Sequence, residues 1–166
     1  MTDRPVRSGP DRSAAPERDD RPVVLLLSGP NLNLLGEREP DTYGTTTLDE
    51  HVAIATTRAH AAGLSLDHRQ SNHEGDLIDA VHDARGRCAA IIINPGALTH
   101  YAWGLHDALA AFDGPVIEVH LSNPVAREPW RHTSVVSPVA TGTIAGLGGL
   151  GYVLAVDAVR TLLGTS

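Results

Sequence analysis

At 166 residues, 42% of them apolar, with a net charge of −7, the chain is sized for one domain with its own core and lacks the basic cluster that a nucleic-acid surface requires. Its single cysteine, Cys88, excludes an internal disulfide framework and fits a reducing compartment. No apolar run approaches the roughly 18 residues of a membrane span and the N-terminus has no apolar signal core, so a cytoplasmic protein with small-molecule partners or copies of itself is expected.

Met1 to Arg21 is dominated by Arg, Asp, Pro and Ser. With almost nothing to bury, its ordering entropy has no offset, so residues 1–21 are expected to be a disordered tail and residues 22–166 a single domain. Val23 to Leu27 is an all-apolar run that predicts a buried strand. It leads into Ser28-Gly29-Pro30-Asn31-Leu32-Asn33 and on to Tyr43-Gly44, a segment too polar and too rich in Gly and Pro to be core. Within it Arg38 stands five residues before Tyr43. A guanidinium beside a phenol favours the phenolate and lowers a pKa that is otherwise about 10, so Tyr43 is a candidate base; the alternative is an ordinary surface tyrosine.

Thr47-Leu48-Asp49-Glu50 reads as a capping box and Gly63 as a stop, predicting a helix over Leu48 to Ala62. Leu64 to Arg69 alternates as a strand, and Leu77, Ile78 and Val81 recur at helical spacing before Gly86. Ala89 to Ile93 predicts another buried strand, with Cys88 as inert core ahead of it. His100 to Phe112 predicts a helix ended by Asp113-Gly114-Pro115, and Val116 to His120 a fourth strand. Val135 and Val136 mark a short fifth strand, and the final helix is expected from Thr141 to Leu163. Gly146-Leu147-Gly148-Gly149-Leu150-Gly151 matches the dinucleotide fingerprint, but no room follows for the next strand and its acidic residue. These glycines are expected instead to let a helix pack closely on a neighbour.

Strands alternating with helices imply right-handed crossovers and an α/β three-layer fold, a five-stranded parallel sheet covered on both faces. The flavodoxin-like order 2-1-3-4-5 is expected, with ligands beyond the carboxyl ends of strands 1 and 3. The polar residues follow that rule: Ser28-Gly29-Pro30-Asn31, Gln70-Ser71-Asn72, Asn94-Pro95-Gly96 and Leu121-Ser122-Asn123 each follow a strand. Glu118 and His120 share a strand face, where the carboxylate can orient and charge the imidazole, or both can be structural. Arg127 and Arg131 follow closely. A flavin or nucleotide phosphate at the Ser28-Gly29-Pro30 loop is the binding-module alternative, although Pro30 and long side chains stand where a phosphate cradle offers glycines.

The motifs Ser28-Gly29-Pro30-Asn31-Leu32-Asn33 through Arg38-Glu39-Pro40 to Tyr43-Gly44, Gln70-Ser71-Asn72-His73-Glu74-Gly75, Asn94 to His100, Glu118 to Asn123 and Arg127 to Arg131 closely resemble type II 3-dehydroquinate dehydratases. The resemblance covers Val23 to Leu163. It implies loss of water from 3-dehydroquinate to give 3-dehydroshikimate, the third step of the shikimate pathway, by anti elimination through an enolate and without metal or organic cofactor. By the same resemblance Tyr43 is the base, Arg38 its activator on a lid loop, His120 the acid, Glu118 the group that orients and charges it, and Asn31 the holder of a water against the enolate oxygen. Asn94, His100 and Arg131 are expected to hold ring hydroxyls, the amides of Leu121 and Ser122 the substrate carboxylate, and Arg127 to lie near Tyr43. Asp107 matches a residue that reaches a neighbouring subunit's site, which implies a homo-oligomer, in this family usually a dodecamer built as a tetramer of trimers. Leu98, Tyr101, Trp103, His106 and Thr133 depart from the family pattern. A catalytically silent oligomeric paralogue is the remaining alternative, disfavoured by the joint presence of Asn31, Arg38, Tyr43, Glu118, His120 and Arg131.

Overall fold

The computed structural model describes residues 19–37 and 44–164. Arg38 and Tyr43 therefore lie outside the described residues, as does most of the expected tail. The strands are β1 (Val23–Ser28), β2 (Ser65–Gln70), β3 (Ala90–Asn94), β4 (Val116–His120) and β5 (Gly142–Ala145). All neighbouring pairs are parallel, in the order β2-β1-β3-β4-β5 expected from the alternation of elements. The helices are α1 (Leu48–Ala61), α2 (Glu74–Ala84), α3 (Trp103–Ala110) and α4 (Leu150–Leu162).

The apolar run of β1 is explained by its central place in the sheet. Side chains alternate across a strand, so Val24 and Leu26 join one core with Ala55, Tyr152 and Val156 of α1 and α4, while Leu25 and Leu27 join the other with Leu77 and Leu105 of α2 and α3. Both faces are apolar because both are covered. The capping box at α1 forms as expected: the Glu50 N–H donates to Thr47 Oγ1 at 3.3 Å, and Glu50 Oε2 accepts from the Thr47 N–H at 2.8 Å. Cys88 is half-buried against the second core, and burial pushes its thiol pKa up. Among the described residues no helix is long and apolar enough to cross a membrane.

Three expectations are corrected. Val135 and Val136 are buried but do not form a strand; the Val135 N–H donates to the Thr99 carbonyl at 2.7 Å and the Val136 N–H to Ser134 Oγ at 3.1 Å. The fifth strand is Gly142–Ala145, inside the segment expected to begin the final helix, which starts only at Leu150. A valine pair reports burial, and burial alone does not distinguish a strand from a loop plugged into the core. The true strand is a four-residue edge with alternating half-buried and exposed positions, so it has no apolar run to show. The helix expected over His100 to Phe112 is also divided. A 3₁₀ turn covers Gly96–His100, and α3 begins at Trp103, where the Glu74 carboxylate from the start of α2 accepts the Leu105 N–H at 3.3 Å. A carboxylate at a helix N-terminus satisfies free amides from outside the segment, which local sequence does not report.

The glycine-rich segment serves packing, as expected. Gly146 (φ +82°) and Gly148 (φ +55°) turn the chain from β5 into α4 in a region that favours glycine. A Cβ at Gly151 would sit 3.2 Å from Val119 Cγ1, and one at Gly149 would run into the His51 ring. His51 itself is 7% exposed, its Nε2 has no hydrogen-bond partner, and its ring lies 5.8 Å from that of Tyr152. Burial lowers its pKa from the ordinary 6.5. The unfolded chain therefore takes up this proton first as the pH falls below 6.5, and stability declines from there until the folded-state pKa is passed. The thermal midpoint is expected to fall between pH 7 and pH 5, and to fall less in His51→Leu; an identical drop in both proteins would refute the assignment.

Candidate active site

In this strand order β1 and β3 lead away from each other, to β2 and to β4, and their C-terminal ends open a crevice. The pocket there is lined by Asn31, Asn94, His100, His120, Leu121, Ser122, Arg127 and Arg131 together with Pro30, Leu35 and Pro124. Sequence reasoning named eight of these as candidates, and the fold brings them to one cavity.

The loop after β1 is held by its neighbours. The Gly29 N–H donates to the Asn94 carbonyl at 2.8 Å, and a Cβ at Gly29 would lie 2.5 Å from the Pro95 carbonyl oxygen, so only glycine admits this approach. Asn31 adopts φ +65°, a conformation that asparagine tolerates better than most side chains. Its N–H donates to Asn72 Oδ1 at 2.9 Å, and that oxygen also accepts from Gln70 Nε2 at 3.1 Å. Gln70 and Asn72 thus brace the turn that presents Asn31. With the Gly29 and Asn31 amides committed in this way, the loop is poorly suited to cradle a phosphate, which counts against the flavin or nucleotide alternative.

Glu118 and His120 do share a strand face. His120 Nε2 donates to Glu118 Oε1 at 2.8 Å, which leaves Nδ1 as the ring nitrogen available to the pocket. Glu118 is fully buried behind it. Its Oε1 accepts from the Thr99 hydroxyl at 2.5 Å, and its Oε2 from the Ser137 hydroxyl at 2.5 Å and Thr143 at 3.3 Å. Burial pushes the Glu118 carboxyl up, but the hydrogen bonds from His120, Ser137 and Thr99 outweigh it and hold the pKa below the ordinary value. A charged carboxylate is thereby kept inside the protein. Sequence reasoning missed Thr99, Ser137 and Thr143: they reach Glu118 from separate loops and strands, and hydroxyl residues in polar segments carry no distinguishing signal.

His100 Nδ1 donates to the Thr133 carbonyl at 2.6 Å, and its ring meets Trp130 edge-on at 5.1 Å. That fixes the tautomer and leaves Nε2 as an acceptor for a hydroxyl. Because the partner is a backbone carbonyl, the departure at Thr133 leaves this contact intact. Arg131 Nε donates to Glu128 Oε2 at 2.7 Å, with its guanidinium 4.0 Å over the Trp130 ring. Arg127 donates to Ser122 Oγ at 3.3 Å and pairs with Glu128 at 3.5 Å. Asp107 is exposed on α3 and does not line this chain's own pocket.

A buried carboxylate holding a histidine at the floor of a crevice lined with amides and guanidinium groups, at the switch point of a doubly wound parallel sheet, defines an α/β enzyme built for proton transfer on a small polar substrate. A family model described as Dehydroquinase class II matches residues 22–160. The chain belongs to that family. It is 54% identical over 143 residues to 3-dehydroquinate dehydratase 2 of Pseudomonas putida, covering 86% of this chain and 96% of that protein. It is 58% identical over 142 residues to 3-dehydroquinate dehydratase of Roseiflexus castenholzii, covering 86% and 88%. Among solved structures, the type II dehydroquinase from Propionibacterium acnes superposes with a TM-score of 0.81 at 45% identity, over 84% of this chain and 96% of that one.

Proposed function

We propose that this chain is a hydro-lyase that dehydrates 3-dehydroquinate to 3-dehydroshikimate, the type II 3-dehydroquinate dehydratase reaction of the shikimate pathway. The observation that carries this reading is the fully buried Glu118 carboxylate bonded to His120 at the pocket floor, in a chain of this family.

A proton next to a ketone is weakly acidic, so elimination needs a base on one face of the ring, stabilisation of the enolate oxygen, and an acid at the leaving oxygen. An imidazolium at His120, balanced by Glu118, delivers a proton to the departing C1 hydroxyl. Tyr43, activated by Arg38, removes the C2 proton as tyrosinate, and Asn31 holds a water against the enolate oxygen. Asn94, His100 and Arg131 take ring hydroxyls, the amides of Leu121 and Ser122 take the carboxylate, and Arg127 adds a second positive charge to the site. The free Nε2 of His100 supports its part. Closure of the lid loop then excludes water around the reacting atoms. The scheme draws on neither metal nor organic cofactor.

The same reading makes residues 22–166 one catalytic domain of a cytoplasmic enzyme, assembled as a homo-oligomer, a dodecamer built as a tetramer of trimers in which Asp107 completes a neighbour's site. Exposed Tyr101 and Trp103 beside Asp107 support a subunit contact on that surface, and sedimentation of the purified chain as a monomer would refute it. Purified protein given 3-dehydroquinate is expected to raise the ultraviolet absorbance of the conjugated product, equally before and after EDTA treatment. Folded protein that gives no rise overturns the assignment.

A further inference from the structure

Asn94 is 3% exposed at the end of β3, and its amide is held from two sides. The Gly96 N–H donates to Asn94 Oδ1 at 3.3 Å. A backbone amide can only donate, so this contact assigns the oxygen and leaves Nδ2 facing the Tyr152 hydroxyl, 3.0 Å away. The NH2 group can only donate as well. Tyr152 Oη therefore accepts, and its own proton needs another acceptor in a side chain that is 2% exposed. Ser28, the register partner of Asn94 across β1 and β3, is the neighbouring hydroxyl that bears on that phenol. Ser28 Oγ in turn lies 3.1 Å from Nε2 of His68 on β2. The one fixed donor at Gly96 sets Asn94 Nδ2–H toward Tyr152; the continuation consistent with it runs from the Tyr152 O–H toward Ser28 and from the Ser28 O–H to a lone pair on His68 Nε2.

We propose that Tyr152 and Ser28, with His68 as terminal acceptor, are positioning residues that lock the Asn94 amide so that the atoms it offers the pocket are set before substrate arrives. This rests on the reading above, in which Asn94 contacts a ring hydroxyl. Tyr152 suits the part because burial pushes its pKa up to about 12, against the pull of Asn94 and Ser28, so it stays a phenol and keeps a proton to donate. His68 suits the terminus because burial lowers its pKa, against Asp49 of α1 and its neighbour Asp67, both of which favour the imidazolium. His51 of α1 faces the same core and lies against Tyr152 from its other side. A protonated His68 would donate to Ser28, which would then have to turn its own proton away from the histidine. With Nε2 bare, the Ser28 proton has an acceptor in His68.

The test compares Tyr152→Phe, Ser28→Ala and their double variant with Asn94→Ala. Each single variant is expected to raise KM about three- to tenfold with kcat within about twofold, the size of one lost neutral hydrogen bond to a positioned group. The double variant should be no worse than the poorer single one, since the links act as a unit. An unchanged KM in both single variants, beside a raised KM in Asn94→Ala, overturns the chain while leaving the substrate contact standing. An unchanged KM in Asn94→Ala removes that contact, and the chain's purpose with it. The unaltered protein supplies a check that needs no variant to fold: neutron diffraction from deuterated crystals should show His68 carrying deuterium on Nδ1 and not on Nε2. Deuterium on Nε2 makes His68 a donor to Ser28 and overturns the proposal.

Discussion

Replacing His120 by alanine is expected to lower kcat by about two to four orders of magnitude, the range typical for removal of a positioned general acid. The argument is geometric. Nε2 is committed to Glu118 at 2.8 Å, so the ring cannot turn without breaking a bond to a buried carboxylate, and Nδ1 is the nitrogen left to serve the leaving hydroxyl. Because the arginines and amides proposed to hold the substrate are other residues of the pocket lining, KM should move far less than kcat. Steady-state kinetics separate the two. A variant that keeps most of its kcat would transfer the acid to another group, and equal losses in kcat and affinity would make His120 a binding residue instead. Tyr43→Phe is the companion experiment on the base of the proposed reaction and should be comparably damaging, since a phenyl ring has no proton to exchange.

The second large effect is expected at Glu118, where stability and activity should fail together. Hydroxyls of Thr99, Ser137 and Thr143 and the His120 ring converge on two carboxylate oxygens inside the protein. Glutamine keeps the shape but exchanges one acceptor for a donor, so at least one buried hydrogen bond is lost and one donor faces another. A loss of about 2–3 kcal/mol is expected from a buried group left unpaired. The uncharged amide would no longer offer His120 the carboxylate it donates to, and kcat should drop about 10²-fold or more. The sign of the pH effect follows from the lowered pKa. Stability from Glu118 is present above the unfolded value of 4.5 and is lost as the pH falls through the lower folded value. Urea unfolding at pH 7 and near pH 3 should show that loss in the unaltered protein and little of it in Glu118→Gln. Parallel pH dependence in the two proteins would sink the assignment. The limb is distinct from the one set by His51, which begins near pH 6.5.

Much of this protein was legible from local signals. The capping box at Thr47 and Glu50 is closed by residues three apart, so a short stretch of sequence contains all its partners. The parallel sheet followed from alternation of apolar runs with helical spacing, because parallel strands need crossovers, and its order is the commonest one for five such strands. Once the strands were ordered, their polar C-terminal residues had to meet at the crevice, and eight pocket residues were named on that ground with the family resemblance. Even the pairing of Glu118 with His120 is local, since alternation across a strand puts positions two apart on the same face.

What local sequence could not carry was anything closed across the sheet. The half-exposed edge strand Gly142–Ala145 is recognisable only by its pairing with β4, and the buried valines at 135 and 136 imitated it. The hydroxyls that keep Glu118 ionised come from positions 19 to 25 residues away, and the chain from Asn94 through Tyr152 and Ser28 to His68 joins three strands and a helix across separations of 58 and 40 residues. A hydrogen bond depends on approach within about 3 Å and on which partner must donate. Residue type states what each group can offer; only the packing of α4 and the loops onto the ordered sheet decides which groups come close enough to accept it.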